Sequence, residues 1–319
     1  MSSEIVVETD VERSLRKEGA RLARGLSTPG NLLSARDLCL NGVIVAATWT
    51  LLVQTQFHWA ACVLAYFAVA KAQNSLLLSG HEAIHHSLFS NRRWNDLIGN
   101  YICFAPLGVG FLRARAAHLD HHNYLATERD EKIDFRLEDP TRASFLWHIF
   151  RPLLGSYAWK GVLRRLGLEA SRRAKPAYAF SAGQARSDTL SIAVASIVLL
   201  AGLATIDWKL YVFFWIGPLL TTTAFFHHAK AFLDHALLPG ETDEVLYSYE
   251  VSWSDRLFFG IQQAHHAEHH LYPHVPYHRL HELTPVTRRM REVEYRAGYF
   301  AELAGYYRAL NSRSQRLRA

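Results

Sequence analysis

Hydrophobic and polar residues come in long blocks along this chain of 319 residues. Four apolar runs stand out: Leu38 to Val53, Trp59 to Leu78, Thr189 to Ile206 and Leu210 to Phe226. Each is roughly 16–20 residues long, at or slightly under the length with which an α-helix crosses a bilayer. A buried core helix would explain any one run. Four of them, joined in pairs by very short links near Gln54–His58 and Asp207–Lys209, predict two helical hairpins dipping into a membrane.

The polar blocks set the orientation. The two links carry a single Lys. Nearly all other Lys and Arg lie before the first run, between residues 81 and 188, and after residue 226. Positive residues favour the cytoplasmic side, so both termini and the central region are expected there. The expected fold is an all-α membrane protein, with four transmembrane helices in two hairpins and a cytoplasmic helical cap. Residues 1–34 form a cytoplasmic N-terminal segment in this reading. Residues 35–283 form the main domain, with spans near 38–53, 59–78, 189–206 and 210–226. Residues 284–319 form an Arg-rich cytoplasmic tail. Met1 to Thr28 is polar and lacks the apolar core of a signal peptide.

Two further stretches fit neither class. Ile98 to Leu112 is apolar but short and broken by Pro106 and glycines, which predicts a re-entrant or interfacial segment. Ser144 to Leu168 mixes Trp147, Phe150, Trp159 and Leu163 with Arg151, Lys160, Arg164 and Arg165. That is the pattern of an interfacial amphipathic helix, or of a helix packed on the cap.

Net charge is +6, and the excess is clustered. Residues 151–175 hold seven Lys/Arg against Glu169, and residues 288–319 hold eight Arg against Glu292, Glu294 and Glu302. No nucleic-acid recognition motif accompanies these clusters, and beside apolar spans they suit anionic lipid headgroups. Cys39, Cys62 and Cys103 lie in apolar surroundings without C-x-x-C spacing and read as buried thiols.

The candidate chemistry is histidine. Of 18 in the chain, eight fall into three boxes: His81-Glu-Ala-Ile-His85, His118-Leu-Asp-His121-His122 and His266-Ala-Glu-His269-His270. Residues three and four apart share a helix face, so each box aims two or three imidazoles one way. Neutral imidazole suits zinc, copper, iron and nickel. Box one follows the second span, box three follows the fourth, and box two lies between them in the same polar region, so all eight fall on one side of the membrane. His235, beside Asp234 and beyond the fourth span, is a further candidate ligand. His86, His227, His228, His265, His274, His278 and His281 look surplus. Glu82, Asp120, Asp234 and Glu268 are candidates to accept the second ring N–H of a ligand, or to bind metal directly, although the histidines already suffice for two ions. Lys71, Gln73 and Asn74, late in span two, either snorkel toward the interface or contact a substrate headgroup.

Zinc hydrolysis needs only three protein ligands and an open position, which eight clustered histidines fit badly. Non-catalytic metal transport would place polar groups in several spans, and only span two has such a cluster. Redox chemistry with dioxygen on an apolar substrate fits best.

These residues resemble the membrane-bound fatty acid desaturase and hydroxylase superfamily. The resemblance covers roughly Leu38 to Leu283. It is strongest in His266-Ala-Glu-His-His-Leu-Tyr-Pro-His-Val-Pro-Tyr-His-Arg-Leu280, and it includes Phe89 and Asn91-Arg-Arg-Trp94-Asn95 behind box one. It implies a non-haem di-iron centre, with His81, His85, His118, His121, His122, His266, His269 and His270 at ligand positions and His235 as a ninth. It implies dioxygen as co-substrate and two electrons from an outside donor. Successive hydrogen abstractions from neighbouring carbons would give a double bond, and hydroxyl rebound an alcohol. The expected reaction is desaturation of a fatty acyl chain. The alternatives are a hydroxylase or ketolase of a lipid, or a desaturase of a non-acyl metabolite. No His-Pro-Gly-Gly haem motif occurs, so a separate ferredoxin or cytochrome is the expected donor. Gln262 stands where many relatives have Asn, at a position that can support the iron through a water, so the resemblance implies an altered geometry there.

Overall fold

The computed structural model describes residues 9–125, 127, 130, 135, 137, 141–165, 180–235, 245–259 and 264–316. It is mostly helical, and four helical stretches are long and apolar enough to cross a membrane: Asn31–Gln54, Trp59–Ile84, Ala182–Ala204 and Lys209–His235. All four outrun the apolar runs. The extra turns are polar, and in the second and fourth they carry His81 and His235 beyond the apolar length.

Helix α1 (Asp10–Leu26) opens on a capping box in which Thr9 and Glu12 satisfy each other's backbone N–H groups. Helix α2 (Asn31–Gln54) turns into α3 (Trp59–Ile84) through residues 55–58, where Gln56 and Phe57 adopt positive φ. Next come α4 (Arg92–Ile98), a π-helical turn over Gly99–Phe104 and α5 (Phe111–Asn123), which carries box two. The chain bends by 97° between residues 92–107 and α5. Gly108 takes φ +70 at that corner, where an L side chain would be strained.

Helices α6 (Arg142–Phe150) and α7 (Ser156–Arg165) fall in the stretch expected to be one amphipathic helix. Pro152 and the positive-φ Gly155 break it in two. Trp147 and Trp159 are exposed, and residues 166–168 lie outside the described residues. The fourth span runs from α9 (Lys209–Tyr211) through two π-helical turns flanking Pro218 into α10 (Ala224–His235).

The expectation of an all-α fold needs one correction. Strand β1 (Leu246–Tyr249) pairs in parallel with β2 (Val293–Arg296), Leu246 opposite Val293. Between them lie α11 (Trp253–Phe258), α12 (His266–Leu271, box three) and α13 (Thr284–Thr287), and α14 (Tyr299–Arg316) follows β2. Four-residue strands are too short for alternation to show in sequence.

The apolar faces explain the assembly. Leu52, Ala61, Ala65, Leu203, Leu210 and Phe214 pack the two short links together at one end of the spans. At the other end, Phe145, Phe232, Tyr247, Tyr249, Tyr299 and Tyr306 form the core of the cap. The expected N-terminal segment and C-terminal tail are built into this cap. Leu15 of α1 packs on Ala267, Val286, Met290 and Val293, and β2 and the first part of α14 join the core. Side chains such as Val43, Val63, Leu64, Leu190 and Ile197 are exposed on these four helices, an apolar surface that a bilayer would cover. Cys103 is buried as expected, whereas Cys39 is exposed on α2.

Candidate metal centre

The structure brings all three boxes and His235 into one cluster. His81 and His85 leave the end of α3, and their rings lie 4.4 and 4.9 Å from that of His118 on α5. The ring of His269 on α12 lies 4.5 Å from His81. One nitrogen from each of these four falls within 4.8 Å of the others. His122 joins them, its Nε2 2.9 Å from His118 Nε2 and 3.1 Å from His269 Nε2. A second group forms beside the first. His121, His235 and His270 converge in the same way, as do Asp234, His235 and His266. His122 and His270 rings lie 4.5 Å apart where the two groups meet.

Nε2–Nε2 separations of 2.9–3.3 Å recur between ring pairs. Ligands held near 2.1 Å from one ion are about 3 Å from each other, so these spacings suit shared ions. A neutral imidazole has one donor and one acceptor, so a crowd of them cannot satisfy itself. Nε2 of His266 is buried with no hydrogen-bond partner. Burial, reinforced by neighbouring imidazoles, holds His118, His266, His269 and His270 far below the ordinary imidazole range. The same causes lower His85 and bring His122 to about 3. Neutral rings are the form that binds metal. This donor set therefore fits soft-to-borderline transition ions such as iron.

Each box is pinned from outside. Asn95 Nδ2 and Arg115 donate to the Ala83 carbonyl at the end of α3, and Arg115 also pairs with Asp96. Helix α5 has no side-chain cap of its own. Asp188, nearly two turns into α8 (Ala182–Ala204), accepts from Leu112 N at 3.0 Å and Arg113 N at 2.9 Å. Glu82 accepts from Ser87 Oγ and from Tyr277 N, tying box one to the segment after box three.

Glu268 is fully buried inside box three. Its carboxylate accepts from Ser248 of β1, from Thr284 and Thr287, and from Tyr295 of β2. Burial pushes its pKa up, but hydrogen bonds from His265, Ser248 and Tyr295 outweigh this and hold it at about 2. The small sheet thus fixes the box-three helix.

The expected carboxylate partners fare unequally. Glu82 lies 3.7 Å from His81 Nδ1, and Asp234 lies 3.7 Å from His266 Nδ1 while pairing with Lys230. Glu268 faces His265 instead of a box residue at a ligand position. Asp120 is buried on α5. The closest partner is one that sequence reasoning missed: Asp130 Oδ1 sits 2.7 Å from His121 Nδ1. Gln262 lies outside the described residues. Among the histidines expected to be surplus, His227 and His265 line the cavity at the centre. His228 meets Tyr157 and His148 elsewhere. That cavity, about 130 Å³, is lined by Leu77, Leu78 and Leu280 together with Lys230, Asp234 and the histidines.

Among known proteins, the family model for fatty acid desaturases matches residues 57–302. The chain is 25% identical to dihydrorhizobitoxine desaturase of Bradyrhizobium elkanii over 314 residues, covering 89% of this chain and 84% of that protein. It is 24% identical to zeaxanthin 4-ketolase of Chlamydomonas reinhardtii over 251 residues, 76% of this chain but only 49% of that protein.

Proposed function

This chain belongs to the fatty acid desaturase family, and on that footing we propose that it is an oxygen-dependent desaturase acting on an aliphatic chain at a di-iron site. The observation that carries the reading is the convergence of nine imidazoles into two adjoining groups. One group is His81, His85, His118, His122 and His269, and the other is His121, His235, His266 and His270. Iron, when bound, supplies activation of dioxygen for attack on an unactivated C–H bond. The overall reaction balances as loss of two hydrogens from neighbouring carbons, with dioxygen, two electrons and two protons giving two waters. The electrons come from a separate ferredoxin or cytochrome.

The chain's own residues set the conditions. Burial keeps the imidazoles neutral, so their lone pairs stay available. Asp130 bonds the outer nitrogen of His121 and orients that ring, while Asp234 and Glu82 lie 3.7 Å from the outer nitrogens of His266 and His81 and place negative charge beside them. Leu77, Leu78 and Leu280 give the cavity an apolar wall against which a hydrocarbon segment lies. The distribution of Lys and Arg supports a multi-pass protein with this centre on the cytoplasmic side.

A fatty acyl chain is the first substrate reading. A compact non-acyl substrate is the second. The relative from Bradyrhizobium elkanii favours it, as does a described cavity no larger than one known to take a benzene-sized group. Mass spectrometry of lipids and small metabolites from a host expressing the chain, beside a His270→Ala control, decides between them. Loss of two hydrogens identifies desaturation, and gain of oxygen a hydroxylase or ketolase. Identical profiles in both hosts count against oxidation altogether. Metal analysis should return two irons per chain, and stoichiometric zinc without iron would exclude the mechanism.

A further inference from the structure

One stripe of α3 runs from the middle of the span, where α11 meets it, to the metal cluster. Phe67, Lys71, Asn74, Leu78, His81 and His85 follow each other at alternating spacings of four and three, which keeps them on one helix face. At one end Phe67 packs edge-on against Phe258 of α11, and Lys71 Nζ lies 3.4 Å from the Arg256 carbonyl. At the other, Leu78 and His81 line the cavity.

The polar residues of this stretch divide sharply. Gln73, on the neighbouring face, is satisfied by the protein: its Nε2 donates to the Trp215 carbonyl at 2.8 Å, and its Oε1 accepts from Thr223 Oγ1 at 2.6 Å. It ties span two to the π-helical turns of span four. Asn74 is only 6% exposed, yet its Nδ2 has no hydrogen-bond partner. Lys71 has no carboxylate within ion-pair distance among the described residues, and its one hydrogen bond is the long contact to Arg256. An unsatisfied amide and an unpaired cation along a membrane-spanning segment are both costly. They stand three residues apart on the face that leads to the centre.

We infer that Lys71 and Asn74 form a subsite for the carboxylate of an acidic amphiphilic substrate, an inference that rests on the oxidase reading of the histidine cluster. A carboxylate is acceptor-only. It takes an N–H from Asn74 and the ammonium of Lys71 together, and one negative charge matches one lysine. Asn74 precedes His81 by seven residues, about 10 Å along a helix axis. The carbons presented to the centre therefore lie about 10 Å from the carboxylate, with Leu77 and Leu78 beside the methylenes between.

Binding tests this without turnover. Decanoate, methyl decanoate and decyl phosphate are titrated against the purified full chain in non-ionic detergent, and iron content is measured on each sample. The wild type should bind decanoate at least about tenfold more tightly than the ester, the value of one charge-assisted hydrogen bond. Lys71→Met and Asn74→Leu should each remove that preference, and Lys71→Arg should keep it. Equal affinity for acid and ester, tighter binding of decyl phosphate, or a preference surviving both substitutions would overturn the subsite. Should a variant fail to fold, the wild-type comparison still decides. Iron-free protein that nevertheless prefers decanoate would retire the oxidase reading and leave the subsite standing.

Discussion

Nδ1 of His121 lies 2.7 Å from Oδ1 of Asp130, and both side chains are buried. A carboxylate there accepts the Nδ1–H and leaves the lone pair on Nε2, which faces Nε2 of His270 at 3.3 Å. Asp130→Asn removes the charge while keeping the shape. Loss of such an outer partner costs about 10–100-fold in metal affinity. Iron titration of the purified variant against a competing chelator should show that drop, with Asp130→Glu intermediate. Unchanged iron affinity in the Asn variant would mean that the carboxylate is merely structural.

The contrast between His121 and Asp130 also marks what sequence could reveal. The boxes were legible because each is local: spacings of three and four put the rings on one helix face whatever the tertiary fold. The spans were legible from length and polarity. His235 stood out because it follows an apolar run and an aspartate. Asp130 sits nine residues past His121 among other acidic residues, with nothing local to single it out. Asp188 lies 75 residues from the N–H group of Arg113 that it caps. The partners of Glu268 come from two strands and from the segment behind box three. These contacts exist only after the helices have packed, so no periodicity announces them. Gln73 shows the same limit: its sequence position suits snorkelling or headgroup contact, whereas its hydrogen bonds run to Trp215 and Thr223 on a distant span.

Asp188 offers a direct measure of how box two is held. Its carboxylate supplies the cap that Gly110 cannot, by accepting two free N–H groups at the start of α5. Asp188→Ala should cost about 1–2 kcal/mol, as loss of a side-chain cap does. Thermal unfolding in detergent would register it as a lower Tm, with Asp188→Asn falling between. A Tm equal to wild type for the Ala variant would show that packing alone orients α5.

Gly19 is where α1 meets box three. A Cβ at that position would stand 2.0 Å from the Tyr272 hydroxyl and 2.7 Å from its Cζ, just past the end of α12. Gly19→Ala should therefore cost about 1–3 kcal/mol through overpacking. Adding Tyr272→Phe removes the nearest atom and should return part of the loss, so the two changes will not be additive. Strict additivity in thermal unfolding would place the strain elsewhere.

His148 carries a pH dependence separate from the metal centre. Burial, with the nearby charges of Arg151 and Lys160, lowers its pKa to about 4, although its ring also bonds the Phe135 carbonyl. An unfolded histidine titrates near 6.5. Between those values the unfolded chain binds a proton that the folded chain refuses, so stability must fall as pH drops from about 6.5 toward 4. One group contributes at most about 1.4 kcal/mol per pH unit in that window, and solvent screening trims it further. His148→Gln keeps a donor for Phe135 and cannot titrate. Its Tm should decline less steeply than that of the wild type over this range, and the curves should run parallel above pH 7. Parallel curves throughout would mean that His148 does not set the acid limit of the fold.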